Sequence, residues 1–224
     1  MKNENDIEVL GFIVSCYSYG NVSQINRFAA KLTERTGNNF YEFTSNYSEH
    51  KDKKFLSGLN YRFNSEKDLS ELIKRTGKIL RQYKSLKNAF AESYDEKDAD
   101  IIPALTEFVS LFKNEKKISN SFGYLVPSPA DNSACKRLNL FLRWMVRKDE
   151  IDFGIWSNVI NKAKLIMPVD THVYKISREL KLINRKSCDL KFAVELTNRL
   201  KKFDESDPVK YDFALCHYGM EREE

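Results

Sequence analysis

Two residues of this chain, a lysine and an aspartate, stand where helix ends are expected and could act as one chemical pair. Lys136 opens the run Lys136-Arg137-Leu138-Asn139-Leu140-Phe141, and Asp170 lies 34 positions later in Pro168-Val169-Asp170-Thr171-His172-Val173. A neutral side-chain amine attacks an electrophilic carbon and closes to a Schiff base. A carboxylate at a helix N-cap is held by backbone N–H groups and can stabilise a cation that develops beside it.

The elements that must carry the pair follow from pattern. A helix is predicted from Ser133 to about Arg147, with Ser133 or Asn132 as N-cap and Lys136 in the first turn. Its core stripe is Leu138, Phe141, Leu142 and Met145, while Lys136, Leu140, Arg143 and Arg147 form a second, basic flank. The positive helix end and Arg137 both favour the neutral amine. Asp170 is the expected N-cap of a helix from Thr171 to Lys181 whose apolar stripe is Val173, Ile176 and Leu180.

Apolar spacing of three and four residues recurs along the chain, as in Ile7, Leu10, Ile13 and Val14, so the fold is expected to be all-α. Breaks are predicted at Gly20-Asn21, Thr36 to Asn39, Ser48 to Lys54, Glu92 to Asp98, Asn114 to Phe122 and Val126 to Asp131, giving some ten helices. The lysine-rich stretch Glu49 to Lys54 is read as a solvated turn. Asp68 to Tyr83 reads as an amphipathic helix with Leu69, Leu72, Ile73, Thr76, Ile79 and Leu80 on its buried stripe.

The chain has 224 residues and a net charge of +5, from 37 basic and 32 acidic side chains, which admits nucleic acid without demanding it. Glycine and proline are scarce, against a β-sandwich. Cys16, Cys135, Cys188 and Cys216 are scattered without a C-x-x-C, so neither a zinc site nor a disulfide framework is indicated, and His50, His172 and His217 make no ligand set. The acidic-polar start is not a secretory signal and the apolar run Val9 to Cys16 is too short to span a bilayer. A soluble cytoplasmic, nucleoid-associated monomer with no cofactor and no metal is expected.

The segment Pro168 to Leu182 resembles the catalytic aspartate motif of the helix-hairpin-helix DNA glycosylases, the endonuclease III superfamily, and Phe213 to Gly219 is similar to their last helix. The family's glycine-containing hairpin is absent; Leu125-Val-Pro-Ser-Pro-Ala-Asp-Asn-Ser133 takes its place. In the endonuclease III branch the lysine stands about eighteen residues before the aspartate, a register that here falls on Asp152, whereas Lys136 matches the longer spacing of the archaeal-type 8-oxoguanine DNA glycosylase/AP lyases. Asn60 to Phe63, the lysine helix and Asp207 to Leu215 also look like a bacterial family of conserved hypothetical proteins.

The resemblance implies a two-lobed helical fold with a cleft between lobes, one of 21-150 carrying the lysine and the other of 1-20 plus 151-224 carrying the aspartate. It implies a bifunctional glycosylase/AP lyase in base excision repair, acting on double-stranded DNA that contains a damaged base, 8-oxoguanine foremost, with Lys136 as nucleophile and Asp170 as stabiliser. Gln24, Asp207 and Tyr211 are the candidates for holding a flipped base, and Arg137, Arg143, His172, Lys175 and Arg178 for touching DNA. Two other readings are a non-catalytic helical nucleic-acid-binding module and a monofunctional glycosylase for alkylated bases. Trp144 and Trp156 are read as core.

Overall fold

The computed structural model describes residues 3–114 and 118–221, and among these every regular element is helical. In chain order the α-helices are α1 (Glu4–Cys16), α2 (Val22–Thr36), α3 (Phe40–Asn46), α4 (Glu49–Leu56), α5 (Glu66–Tyr83), α6 (Leu86–Ala91), α7 (Ile102–Lys113), α8 (Asn120–Leu125), α9 (Lys136–Val146), α10 (Thr171–Glu179), α11 (Leu190–Lys201) and α12 (Asp212–Glu221), with short 3-10 turns at Pro129–Asp131, Lys162–Lys164 and Pro208–Tyr211. No helix among the described residues is long and apolar enough to cross a membrane.

Packing divides the chain into two units, Met1–Ser93 with Glu107–Val126, and Tyr94–Thr106 with Pro127–Glu224. This departs from the expected lobes of 21-150 and 1-20 plus 151-224. Periodicity reveals which face of a helix is apolar and not which helix it meets. The buried face of α1, Val9, Phe12, Ile13 and Cys16, packs on α3 and α5, so the first helix belongs with its sequence neighbours.

In the first unit α5 is central. Ser65 N donates to Asp68 Oδ2 at 2.8 Å at its start, and all six residues of the predicted stripe are buried. Gly77 lets α3 approach: a Cβ there would lie 2.2 Å from the Thr44 carbonyl oxygen. Phe12 stacks on Phe112 with ring centroids 5.0 Å apart. The expected break at Ser48 to Lys54 is instead α4, whose first-turn Glu49 and Asp52 and last-turn Lys53 and Lys54 complement the helix dipole, an arrangement that helps a short polar sequence stay helical.

In the second unit the stripe of α9 is buried as predicted, and Phe141 meets the fully buried Trp156 edge to face at 5.2 Å. Trp144, read as core, is only half-buried. The run Leu165 to Met167 is buried and is tied to α11 by Met167 N donating to Thr197 Oγ1 at 2.9 Å. The core of α10 is Val173 and Ile176; Leu180 falls beyond its last turn and is exposed, because the helix stops at Glu179 and not at Lys181.

Candidate active site

The lysine helix starts later than its caps suggested. Cys135, in the left-handed region at φ 47° and ψ 37°, is the N-cap, and Lys136 is the first helical residue. Asn132 is also left-handed, at φ 57°, so two non-glycine residues supply turns of the kind a glycine hairpin would make freely. Ser133 does not cap the helix; its Oγ accepts from Cys135 N at 3.2 Å inside the turn. Asn139 Nδ2 donates to the Ala134 carbonyl at 2.9 Å and fastens the turn to the helix it opens. Lys136 itself is half-buried.

Asp170 caps α10 as expected, its Oδ1 accepting from Val173 N at 2.9 Å. Its other oxygen meets α12, where Cys216 Sγ donates to Oδ2 at 3.6 Å. The approach of α12 to α10 depends on Gly219, whose place leaves room for His172 Cβ and Ile176 Cγ1, each 3.0 Å from where a Cβ would sit. Asp212, Cys216 and Gly219 are spaced i, i+4 and i+7, which puts all three on one stripe of α12.

That stripe is where the lysine and the aspartate meet in electrostatic terms. Burial pushes the Asp212 carboxyl up to about 6, against the pull of Arg143, with Asp170 adding to the rise and Lys136 opposing it. Burial, the Asp170 and Asp212 carboxylates and the hydrogen bond to Asp170 push the Cys216 thiol up to about 12, and Lys136 again acts the other way. Both Lys136 and Asp170 therefore act on the same two side chains. An amine and a carboxylate so placed form one polar neighbourhood within the second unit.

Behind it lies a buried ion network. Arg143 Nε donates to Asp152 Oδ2 at 3.1 Å and its Nη1 to Asp212 Oδ2. Arg147 Nη1 also reaches Asp152 Oδ2, and its Nε donates to both oxygens of Asp207 at 2.9 and 3.1 Å. Burial alone would weaken both guanidinium charges, yet the carboxylates of Asp212 and Asp152 around Arg143, and of Asp207 and Asp152 around Arg147, raise each above its ordinary value. Burial outweighs the two arginines at Asp152 and holds its carboxyl above the usual range.

A family model described as protein of unknown function, DUF2400, matches residues 1–221. The chain belongs to the DUF2400 family. No curated protein and no solved structure matches it.

For this DUF2400 chain the arginines nominated from sequence need correction. Arg137 and Arg143 are 8% and 5% exposed, and Arg143 is spent on two internal carboxylates, so neither faces solvent as a phosphate contact. Asp207, offered as a base acceptor, is buried on Arg147 and reached by Lys162 Nζ at 3.5 Å, and its side chain does not cap the following turn. Helical spacing could not show this, since Asp207 and Asp212 are 60 and 69 positions from the arginines they pair with and Asp152 lies in the loop beyond the helix. Tyr211 is half-buried, with its ring 6.3 Å from that of Phe203. Gln24 is exposed on α2, in the first unit, beside a cavity of about 410 Å³ shared with Arg27, Lys31 and Asn60. Lys175 and Arg178 are exposed on α10, where the Arg178 guanidinium lies 5.6 Å from the Tyr174 ring centroid, and His172 is half-buried.

Asp212 and Cys216 were missed from sequence. The signal was there, in the i, i+4, i+7 stripe ending at Gly219, but nothing in one helix says that its partner carries Asp170.

Proposed function

We propose that this DUF2400 chain is a bifunctional DNA glycosylase/AP lyase that excises oxidised purine, 8-oxoguanine foremost, from duplex DNA. The observation that supports the reading is the shared neighbourhood of Lys136 and Asp170 on the α12 stripe, where Cys216 donates to Asp170 and responds to Lys136. The two-lobed glycosylase fold, with the turn through Asn132 and Cys135 serving as its modified hairpin, and action at the nucleoid belong to the same proposal.

In the proposed reaction Lys136 Nζ attacks the sugar C1′ as the bond to the base breaks, and the departing base keeps the bonding pair and gains a proton. Asp170, held by the Val173 N–H and the Cys216 thiol, stabilises the positive charge that gathers on the sugar ring and then accepts a proton from the lysine nitrogen. The sugar opens to a Schiff base, a C2′ proton is removed, and the 3′ phosphate leaves with its electron pair. The buried network behind α12 keeps Asp212 and Arg143 in place beside the pair.

Borohydride reduction on an 8-oxoguanine duplex tests this. A covalent adduct is expected with wild type and none with Lys136→Gln, while Asp170→Asn slows base release by about 10²- to 10³-fold, the usual cost of losing one preorganised electrostatic group. Wild type that forms no adduct across a panel of oxidised purines sinks the proposal, and free base without strand cleavage points to a water nucleophile.

A further inference from the structure

Loop 180–188 and the outer face of α11 border an open groove of about 820 Å³. Lys181, Arg185, Lys186, Arg199 and Lys202 line it, and Glu195 is the acid among its lining residues. In a chain with a net charge of only +5, five cations against one acid is a local concentration of positive charge. Arg185 is committed to Asp189 through bonds of 2.8 and 2.5 Å, which fixes the loop to the start of α11. Lys181, Lys186, Arg199 and Lys202 are exposed and carry no ion pair among the described residues.

The loop is fastened to α10, and the start of α11 to the turn that precedes α9. Tyr174 Oη on α10 donates to the Lys186 carbonyl at 2.7 Å, and Leu190 N donates to the Asn132 carbonyl at 3.1 Å, in the turn before α9. At the loop's end the Cys188 thiol is raised by burial and then by the Asp170 and Asp189 carboxylates, so the loop reaches into the field of the candidate site. Lys181, left-handed at φ 54°, turns the chain out of α10 into this path.

We propose that this groove binds the phosphodiester backbone of duplex DNA next to the Lys136–Asp170 site. The choice of duplex DNA rests on the glycosylase reading. The form of the groove selects a polyanion over a single phosphate: its cations are mainly lysines on long stems at the surface, which suit a line of charges, and no buried arginine fork waits for one anion.

The test is the salt dependence of full-length protein binding to an undamaged labelled duplex. For Lys181→Ala/Lys186→Ala/Lys202→Ala the slope of log affinity against log salt falls by about 2 to 3, close to 0.9 for each phosphate that is no longer neutralised, with unchanged melting temperature. A matched triple in the first unit, Lys51→Ala/Lys53→Ala/Lys67→Ala, leaves the slope within about 1 of wild type. Equal losses in both triples, an unchanged slope in the groove triple, or a preference for single-stranded RNA over duplex overturns the proposal. Adduct trapping on damaged duplex is scored separately: trapping with an unaltered slope removes the groove alone, and an altered slope without trapping removes the enzyme reading while the groove stands as a DNA-binding surface.

Discussion

Arg143 on α9 and Arg147 at its C-cap, and Lys186 and Lys202 beside α11, are cations of one unit, yet the first two are turned inward and the second two outward. Around these two arginines stand Asp149, Asp152, Asp207 and Asp212, brought from two loops and the start of α12; Arg143 serves two carboxylates and Arg147 three. Around the groove lysines stands Glu195, with Asp189 already taken by Arg185. The planar fork of arginine suits the buried role and the hydrated ammonium of lysine the exposed one. A basic helix flank read from sequence is therefore no guide to a DNA contact until the carboxylates that close over it are known.

The contrast can be broken most sharply at Arg143. Replacing it by Met leaves Asp212 buried without its partner and Asp152 with Arg147 alone, and we expect a loss of about 3–5 kcal/mol in denaturant unfolding. A variant as stable as wild type would show that the network adds nothing.

The next effect is a pH dependence. Asp212 is raised to about 6 from an ordinary 3.8, so the folded chain binds this proton more tightly than the unfolded chain. The stability it contributes is present in full below about 3.8 and is lost as pH rises through about 6. Relative to Asp212→Asn, which has no such proton, wild type gains about 2 kcal/mol between pH 7 and pH 4.5 in urea unfolding. A difference that does not change with pH would place Asp212 in an ordinary solvated setting.

Gly219→Ala is expected to cost about 1–3 kcal/mol, because its Cβ would crowd His172 and Ile176 and push α12 from α10. If the melting temperature holds, the two helices have slack. At the other end of the scale, Lys186→Ala and Lys202→Ala change stability by no more than about 0.5 kcal/mol each, as exposed side chains without ion pairs do. A larger loss would mean that the groove cations are structural after all.

Much of the architecture was legible from spacing. The all-helical class, the buried stripes of α5 and α9 and the capping role of Asp170 follow from residue types within a turn or two of one another. Local signals failed where two chemistries compete on short range. Ser133 is a good cap residue, but the left-handed turn at Cys135 delays the helix, and the lysine-rich stretch after Ser48 holds as α4 because its charges are ordered along the dipole. Of the site, Lys136 and Asp170 were visible and Asp212 and Cys216 were not.

The sequence by itself determined that this chain is helical, where its apolar faces lie, and that an amine and a carboxylate each open a helix, because those properties depend on interactions a few residues apart. Only the tertiary structure decided that α12 brings Asp212 and Cys216 to that pair, that Arg143 and Arg147 are neutralised inside, and that the loop after α10 presents its lysines to solvent. Charge pairing is a matter of distance in space, and residues 46 or 69 positions apart meet here through packing that no local pattern encodes.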